Sequence, residues 1–205
     1  MPVQVKSRVR SDQHPRVRLQ EAGTRLFYNN GFHATSVRDI TEACGLTPGA
    51  LYNHFGSKEQ LLHAIIMDGH AVLGREFAAV SEEQPPVPQL RALIEVFVLH
   101  HTRFRKEAMV GDAWRALDET HRNEVRELRL GIRGRVREVI QAGLASGVFT
   151  VPSVPGGDAA QFAATAALDM GFRVSSWFDP DGPVSDAAFA SFYAEFVLRA
   201  VTHAG

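Results

Sequence analysis

Apolar residues recur along the chain at the three- and four-residue intervals of α-helices, and no stretch alternates like a β-strand. In the first predicted helix, residues 13–30, apolar or small residues at positions 19, 22, 23, 26 and 27 form one face. Gly31 ends this helix, because glycine readily adopts the left-handed conformation that closes helices. The same periodicity predicts about nine helices and an all-α fold.

Two very short helices come next, separated by a break at Gly45. Ser36 suits the N-cap of the first, and Thr47-Pro48 suits the start of the second. Ser57 then opens a long amphipathic helix over residues 57–80. Two helices joined by a tight turn form a helix-turn-helix. Beyond a proline cluster, helices are predicted at 88–102, 104–118, 121–146 and 158–178, with a last helix capped by Ser185.

Composition places the chain among soluble globular proteins. It has 205 residues, of which 45% are hydrophobic and 22% charged. The single cysteine, Cys44, excludes an intrachain disulfide and is expected to be a small buried residue rather than a redox sensor. No apolar run approaches the ~20 residues of a membrane span, and the polar, basic first ten residues do not resemble a signal peptide. We therefore expect a cytoplasmic protein with no membrane partner.

Charge is unevenly distributed despite a net charge of −1. Residues 1–60 carry eight basic and five acidic side chains, whereas the remainder carries fourteen basic and eighteen acidic ones. A basic end on an acidic chain favours a polyanionic partner for that end. The basic stretch Lys6–Arg18 either reaches along such a partner's backbone or forms a loose terminus.

The helix-turn-helix over residues 35–55 supplies the candidate chemistry. Its second helix carries small and polar residues, as expected of a helix that enters a DNA major groove about 12 Å wide. Arg38 and Thr47 are the candidates for base-edge contacts, and Tyr52 and Lys58 for phosphates. The candidate DNA-binding residues are Thr35, Ser36, Arg38, Thr47, Pro48, Gly49, Tyr52, Asn53, His54 and Lys58.

The run TRLFYNNGFHATSVRDITEACGLTPGALYNHFGSKEQLLHAI resembles the DNA-binding region of the TetR family of bacterial transcriptional regulators. The resemblance covers roughly the first 65 residues. It implies three parts: a flexible basic arm at 1–12, a helix-turn-helix DNA-binding domain at 13–58, and a helical effector-binding and dimerisation domain at 59–205. It also implies that the chain binds double-stranded DNA at a palindromic operator, as a repressor released by a small-molecule effector; activation remains the other possibility.

The resemblance further implies a homodimer formed by the last two helices, which carry aromatic stripes. The candidate dimer-interface residues are Phe162, Trp177, Phe189, Phe192 and Phe196, although part of each stripe belongs to the core. The run EVIQAGLASGVF and the later WFDPDGPVS resemble a subgroup that responds to acyl-CoA thioesters in lipid catabolism. The candidate effector-pocket residues are Phe97, His100, Phe104, Trp114, Phe172 and Arg173. The candidate cations for the CoA phosphates are Arg103, Arg105, Lys106, Arg122, Arg126 and Arg129.

Two other classes of function remain open. An enzyme is disfavoured because the chain has no HExxH, P-loop or GxSxG motif, and no cofactor is expected. No metal site is expected either, since Asp118 and His121, three residues apart, straddle a predicted helix boundary. The alternative to a regulator is a helical protein-interaction module that retains a helix-turn-helix without regulating DNA.

Overall fold

The computed structural model describes residues 14–202, which contain nine α-helices, one 3₁₀ helix and no strand. The predicted basic arm, residues 1–12, lies outside the described residues. The helices are α1 (Pro15–Asn30), α2 (Val37–Ala43), α3 (Pro48–Phe55), α4 (Lys58–Ala78), α5 (Pro86–Arg103), α6 (Arg105–Val110), the 3₁₀ helix Gly111–Ala116, α7 (Glu119–Ala145), α8 (Ala159–Trp177) and α9 (Asp186–Val201). The all-α prediction is confirmed.

The predicted single helix at 104–118 was wrong, because the chain forms α6 and then the 3₁₀ helix there. In a continuous α-helix, the carbonyl of Gly111 would accept the amide four residues on. Instead it accepts a hydrogen bond of 3.0 Å from the guanidinium of Arg129 on α7. A side chain from another helix therefore stabilises the tighter turn.

The buried apolar residues form two separate cores, and α4 contributes to both. The first core joins α1, α2 and α3 through fully buried residues such as Leu19, Ile40 and Leu51, and Leu61 of α4 packs into it. The second core lies among α5, α7, α8 and α9, and the C-terminal part of α4 packs into it through Phe77. A helix anchored in both cores couples the helix-turn-helix mechanically to the rest of the protein.

Helices α5, α8 and α9 pack closely around the second core. Gly171 of α8 allows this proximity, because a Cβ atom there would lie 2.8 Å from the ring of Phe97 on α5. Within residues 14–202, no helix combines the length and apolarity required to cross a bilayer.

Candidate nucleic-acid interface and ligand cavity

Local capping interactions set the geometry of the helix-turn-helix. The Ser36 hydroxyl accepts a hydrogen bond from the Asp39 amide, and the Asp39 carboxylate accepts one from the Ser36 amide at 2.8 Å. The hydrogen bonds that the Asp39 carboxylate accepts from the Ser36 amide and from the Ser36 hydroxyl hold the pKa of Asp39 below its ordinary value. Gly45 makes the turn with φ of +64°, a conformation that favours glycine. Helix α3 then packs inward through Leu51 and Phe55 alone, which leaves its opposite face in solvent.

Most of the predicted DNA-binding residues lie exposed on and around α3. The exposed ones are Ser36, Arg38, Thr47, Pro48, Gly49, Tyr52 and Asn53, and His54 is partly buried. The Tyr52 side chain, 55% exposed, projects from the middle of α3. Arg38 pairs with Glu42 at 2.6 Å, but both side chains remain mostly exposed, so the pair is weak and readily exchanged.

Thr35 and Lys58, which are also predicted to bind DNA, hydrogen-bond within the protein. Thr35 is 1% exposed, and its hydroxyl donates to the Gly31 carbonyl at 2.8 Å. The Lys58 ammonium donates to the carbonyls of Phe32 and Thr35 at 2.8 and 2.7 Å and lies 4.3 Å from the centre of the Phe32 ring. Partial burial lowers the pKa of Lys58. Lys58 thereby holds the α1–α2 connection against the start of α4, and the Thr35 hydroxyl ties the same connection to the end of α1.

Two arginines of the stretch Lys6–Arg18 also bind within the protein. Arg16 donates to the His54 carbonyl at 3.0 Å and lies 4.4 Å from the centre of the Phe55 ring, so it caps the C-terminus of α3. Arg18 donates to the Cys44 carbonyl in the turn between α2 and α3. The spacing of apolar residues cannot predict these contacts, because each contact joins α1 to a backbone carbonyl far along the chain.

Cys44 lies in the core of the helix-turn-helix, with Sγ 3.2 Å from the Ile40 carbonyl. Burial raises the pKa of its thiol. These properties fit a packing role.

A cavity of about 420 Å³ lies among α4, α5, α6, the 3₁₀ helix, α7 and α8. Five of the six predicted pocket residues line it: Phe97, His100, Trp114, Phe172 and Arg173. The sixth, Phe104, does not, because α5 ends at Arg103 and the Phe104 ring lies partly exposed with its centre 5.0 Å from that of the His100 ring. A cavity of this size falls within the usual range for small-molecule sites.

Three histidines line this cavity, of which His100 and His101 are buried and His70 is half-buried. His70 and His101 each hydrogen-bond through Nδ1 to the carbonyl four residues earlier, at 2.9 and 2.7 Å, and His100 Nδ1 lies 3.0 Å from a Glu76 oxygen. Burial lowers the pKa of all three and brings that of His101 to about 3. At neutral pH the cavity wall therefore offers polar but uncharged imidazoles.

Cationic side chains line another part of the cavity. They are Arg115, Arg129, Arg133 and Arg173, and the acidic residues beside them are Glu107, Asp112 and Asp169. Arg129 lies 5.3 Å from the centre of the Trp114 ring, and burial lowers its pKa. Arg133 Nε is buried with no hydrogen-bond partner in the part of the chain that the structure describes. The four arginines give this part of the cavity wall a cationic character that suits an anionic ligand.

Of the cations predicted to face the CoA phosphates, only Arg129 lines the cavity. The others lie outside its lining, and several have partners of their own. Arg103 pairs with Asp186 at 2.8 Å, Arg105 donates to the Ser175 carbonyl, and Arg122 donates to the Leu117 carbonyl. Sequence reasoning missed Arg115 and Arg133 because their orientation depends on how α7 and the 3₁₀ helix pack.

The predicted dimer-interface residues divide between surface and core. Phe162, Trp177, Phe192 and Phe196 are each more than half exposed, whereas Phe189 is partly buried and packs on Phe178 and Tyr193. Helices α8 and α9 therefore present four large aromatic side chains to solvent, which is unusual for an isolated monomer.

Comparisons with known proteins identify the family. Residues 19–65 match the family described as bacterial regulatory proteins, tetR family, and residues 83–201 match the tetracyclin repressor-like, C-terminal domain. Because the second match alone covers more than half of the chain, the protein belongs to the TetR family of bacterial regulatory proteins. The resemblance found in the sequence is thereby confirmed.

Similarity to individual members is moderate. The transcriptional regulator UidR of Escherichia coli K12 is 35% identical over 99 residues, so the chain spans about half the length of this relative (48% of the chain and 49% of UidR). The transcriptional repressor KstR2 of Mycolicibacterium smegmatis is 27% identical over 194 residues, 90% of the chain and 88% of KstR2. The structure of AibR in complex with isovaleryl coenzyme A and operator DNA has 25% identity and a TM-score of 0.76, covering 89% of this chain and 97% of AibR.

The depressed pKa of His101 predicts acid-sensitive stability. An unfolded histidine titrates near pH 6.5, so between that pH and about 3 the unfolded state binds a proton that folded His101 excludes. Stability is therefore full above pH 6.5 and falls with acidification, by up to about 1.4 kcal/mol per pH unit from this group. In urea unfolding between pH 7.5 and 5, His101→Gln is expected to have a shallower pH slope than the unsubstituted protein. Equal slopes would show that folding does not lower the pKa of His101.

Proposed function

We propose that this protein is a ligand-responsive transcriptional repressor of the TetR family and not an enzyme. The observation that carries the proposal is the position of α4, which packs against α3 at its start and lines the cavity along its middle. A ligand in the cavity contacts the helix that carries the DNA-facing element. The protein would act in the cytoplasm, where bacterial operator DNA lies.

The exposed face of α3 supports the DNA-binding part of the proposal. Thr47, Pro48, Gly49 and Tyr52 form a slim and polar surface with space for a duplex. We retain Arg38, Asn53 and His54 as further candidate contacts, and we omit Thr35 and Lys58 because their side chains bind protein carbonyls. The proposed DNA-binding domain, residues 13–58, then ends at Lys58, the first residue of α4.

The four exposed aromatic residues of α8 and α9 support a homodimer. One recognition helix reads only a few base pairs, and two helices about one DNA turn apart would read a palindromic operator. Within residues 59–205, the proposed effector-binding and dimerisation domain, these side chains form the apolar surface best suited to a two-fold contact.

The lining of the cavity supports an acyl-CoA thioester as the proposed effector class. AibR, a structural neighbour, forms a complex with isovaleryl coenzyme A and operator DNA. Here Ile65, Leu73 and Phe97 supply an apolar wall for an acyl chain, and Arg129 and Arg133 supply cations and donors for the phosphates or amides of the CoA part. Binding would release DNA only to the extent that the ligand prefers the DNA-free conformation.

The test begins with an operator selected from random duplex DNA and then measures affinity by fluorescence anisotropy with and without short acyl-CoA thioesters. We expect one thioester class to weaken operator binding by about 5–150-fold, the usual range of allosteric coupling. Free CoA is the control for the acyl part. Arg133→Gln should keep its operator affinity but respond less.

Two outcomes would contradict separate parts of the proposal. If no thioester changed operator affinity, the effector class would be wrong while DNA regulation stood. If selection enriched no sequence, the helical protein-interaction module would become the better explanation of the fold.

A further inference from the structure

A cluster of ionisable side chains joins the start of α4 to the start of α7. Glu59 is the second residue of α4, Asp118 is the N-cap of α7, and His121 lies in its first turn. One ligand atom from each lies within 4.8 Å of the other two. His121 Nδ1 is 2.9 Å from Glu59 Oε1 and 3.2 Å from Asp118 Oδ2.

The distances from His121 Nδ1 to the two carboxylate oxygens are similar to the distance between two ligand atoms of one metal ion. Zn²⁺ holds imidazole nitrogen and carboxylate oxygen at about 2.0–2.2 Å, so two such ligands at angles of about 90–110° lie about 2.8–3.6 Å apart. The two distances from His121 Nδ1 fall within or next to that range. Only modest side-chain rotation would therefore bring the three atoms onto one ion.

The charges of the cluster also favour a cation. Two carboxylates converge on the same imidazole nitrogen, which carries at most one proton. Beside them His63 stacks on His121, with ring centres 3.9 Å apart, and His63 Nε2 lies 2.9 Å from a Glu124 oxygen. A second imidazole and a third carboxylate therefore lie next to the cluster.

We propose that Glu59, Asp118 and His121 form a binding site for a divalent transition-metal ion such as Zn²⁺, which joins α4 to α7. Mixed imidazole and carboxylate ligands suit Zn²⁺ better than Mg²⁺ or Ca²⁺, which prefer oxygen alone. The sequence pattern argued against this site because Asp118 and His121 straddle a helix boundary. In the structure, the helix boundary brings these two residues together. Asp118 is the N-cap of α7, and its Oδ1 atom accepts a hydrogen bond from the His121 amide at 2.8 Å, so its side chain lies over the first turn of the helix.

Metal binding at this site is independent of DNA regulation. Its consequence for the helix-turn-helix rests on the proposed function: Lys58, the neighbour of Glu59, binds the carbonyls of Phe32 and Thr35. An ion that holds Glu59 against α7 would therefore restrict the angle between the helix-turn-helix and the rest of the protein.

The direct test is calorimetric titration of ZnCl₂ into the metal-free, full-length protein at pH 7.5, without DNA. We expect one ion per chain, with affinity at least 10-fold weaker in both Glu59→Gln and His121→Gln. The glutamine at position 59 keeps an oxygen acceptor for the Asp118 amide, which Glu59 now binds at 3.2 Å, so the fold should persist. Glu119→Gln, an exposed neighbour in the first turn of α7, is the matched control and should bind like the unsubstituted protein.

The pH dependence provides a second readout. Burial lowers the pKa of His121, but its hydrogen bond with Glu59 and the charges of Glu59, Asp118 and Glu124 raise it more. The ion must displace this proton, so Zn²⁺ affinity should fall by about tenfold per pH unit below the pKa. Absence of a one-to-one binding event, or equal affinity in the Glu59, His121 and Glu119 variants, would overturn the proposal and leave the DNA-binding proposal untouched.

Discussion

A Gly49→Glu variant is expected to fold normally and to lose operator affinity by about 100-fold or more. Gly49 is the second residue of α3 and is exposed, and a Cβ atom there would meet only the Thr47 hydroxyl, at 3.9 Å. In the proposed dimer, each helix would bring one carboxylate against the DNA. Two unfavourable contacts of about 1.4 kcal/mol each would already amount to 100-fold.

The matched control for this substitution is Gly74→Glu. Gly74 is likewise an exposed helical glycine with open space around a new Cβ atom, but it lies on α4, outside the helix-turn-helix. Anisotropy titrations with the selected operator should show nearly unchanged affinity for this variant, and circular dichroism should show native helix content for both. Equal affinities in the two variants would mean that the N-terminus of α3 does not approach DNA.

Phe192→Glu combined with Phe196→Glu is expected to convert the dimer to a monomer. The two rings stack on the exposed face of α9, with centres 6.3 Å apart, and are 62% and 51% exposed in the single chain. In a dimer they would be buried, and four unpaired carboxylates would then enter an apolar contact at a cost of several kcal/mol.

Light scattering coupled to size-exclusion chromatography at micromolar concentration measures this change. Leu130→Glu on α7, which replaces a residue that is 45% exposed, is the control and should remain dimeric. The monomeric variant should also bind the operator more weakly, because the two recognition helices no longer bind together. A double variant that stays dimeric would place the interface on another surface.

Features governed by neighbouring residues could be predicted from the sequence. Ser36, Thr47 and Ser57 are the N-caps of α2, α3 and α4 as expected, because a cap depends on residues two or three positions away. The exposed face of α3 follows from the same local pattern. The break at Gly111 was missed, since it depends on Arg129, a residue of another helix.

Features governed by distant partners could not be predicted. Arg103 was predicted to bind ligand phosphates, but in the structure it pairs with Asp186, 83 residues further along the chain. Thr35 was a candidate for DNA contact because it lies near a helix N-terminus, and Lys58 because of the family resemblance, but hydrogen bonds to backbone carbonyls decide the orientation of both side chains. The five pocket residues that do line the cavity were identifiable as aromatic or polar residues in helices, although nothing in the pattern separated them from Phe104.

Helix α4 packs into both apolar cores and therefore acts as a lever arm between the cavity and the helix-turn-helix. Gly69 lines the cavity, and Lys58, eleven residues earlier, is bound to the helix-turn-helix, so the arm between them is about 16 Å long at 1.5 Å per residue. A rotation of about 10° around the cavity would move the recognition helix by about 3 Å, close to the rise of one base pair. A ligand could therefore change the distance between the two recognition helices of the proposed dimer, so that they no longer match the DNA grooves. The wall of the cavity would move very little.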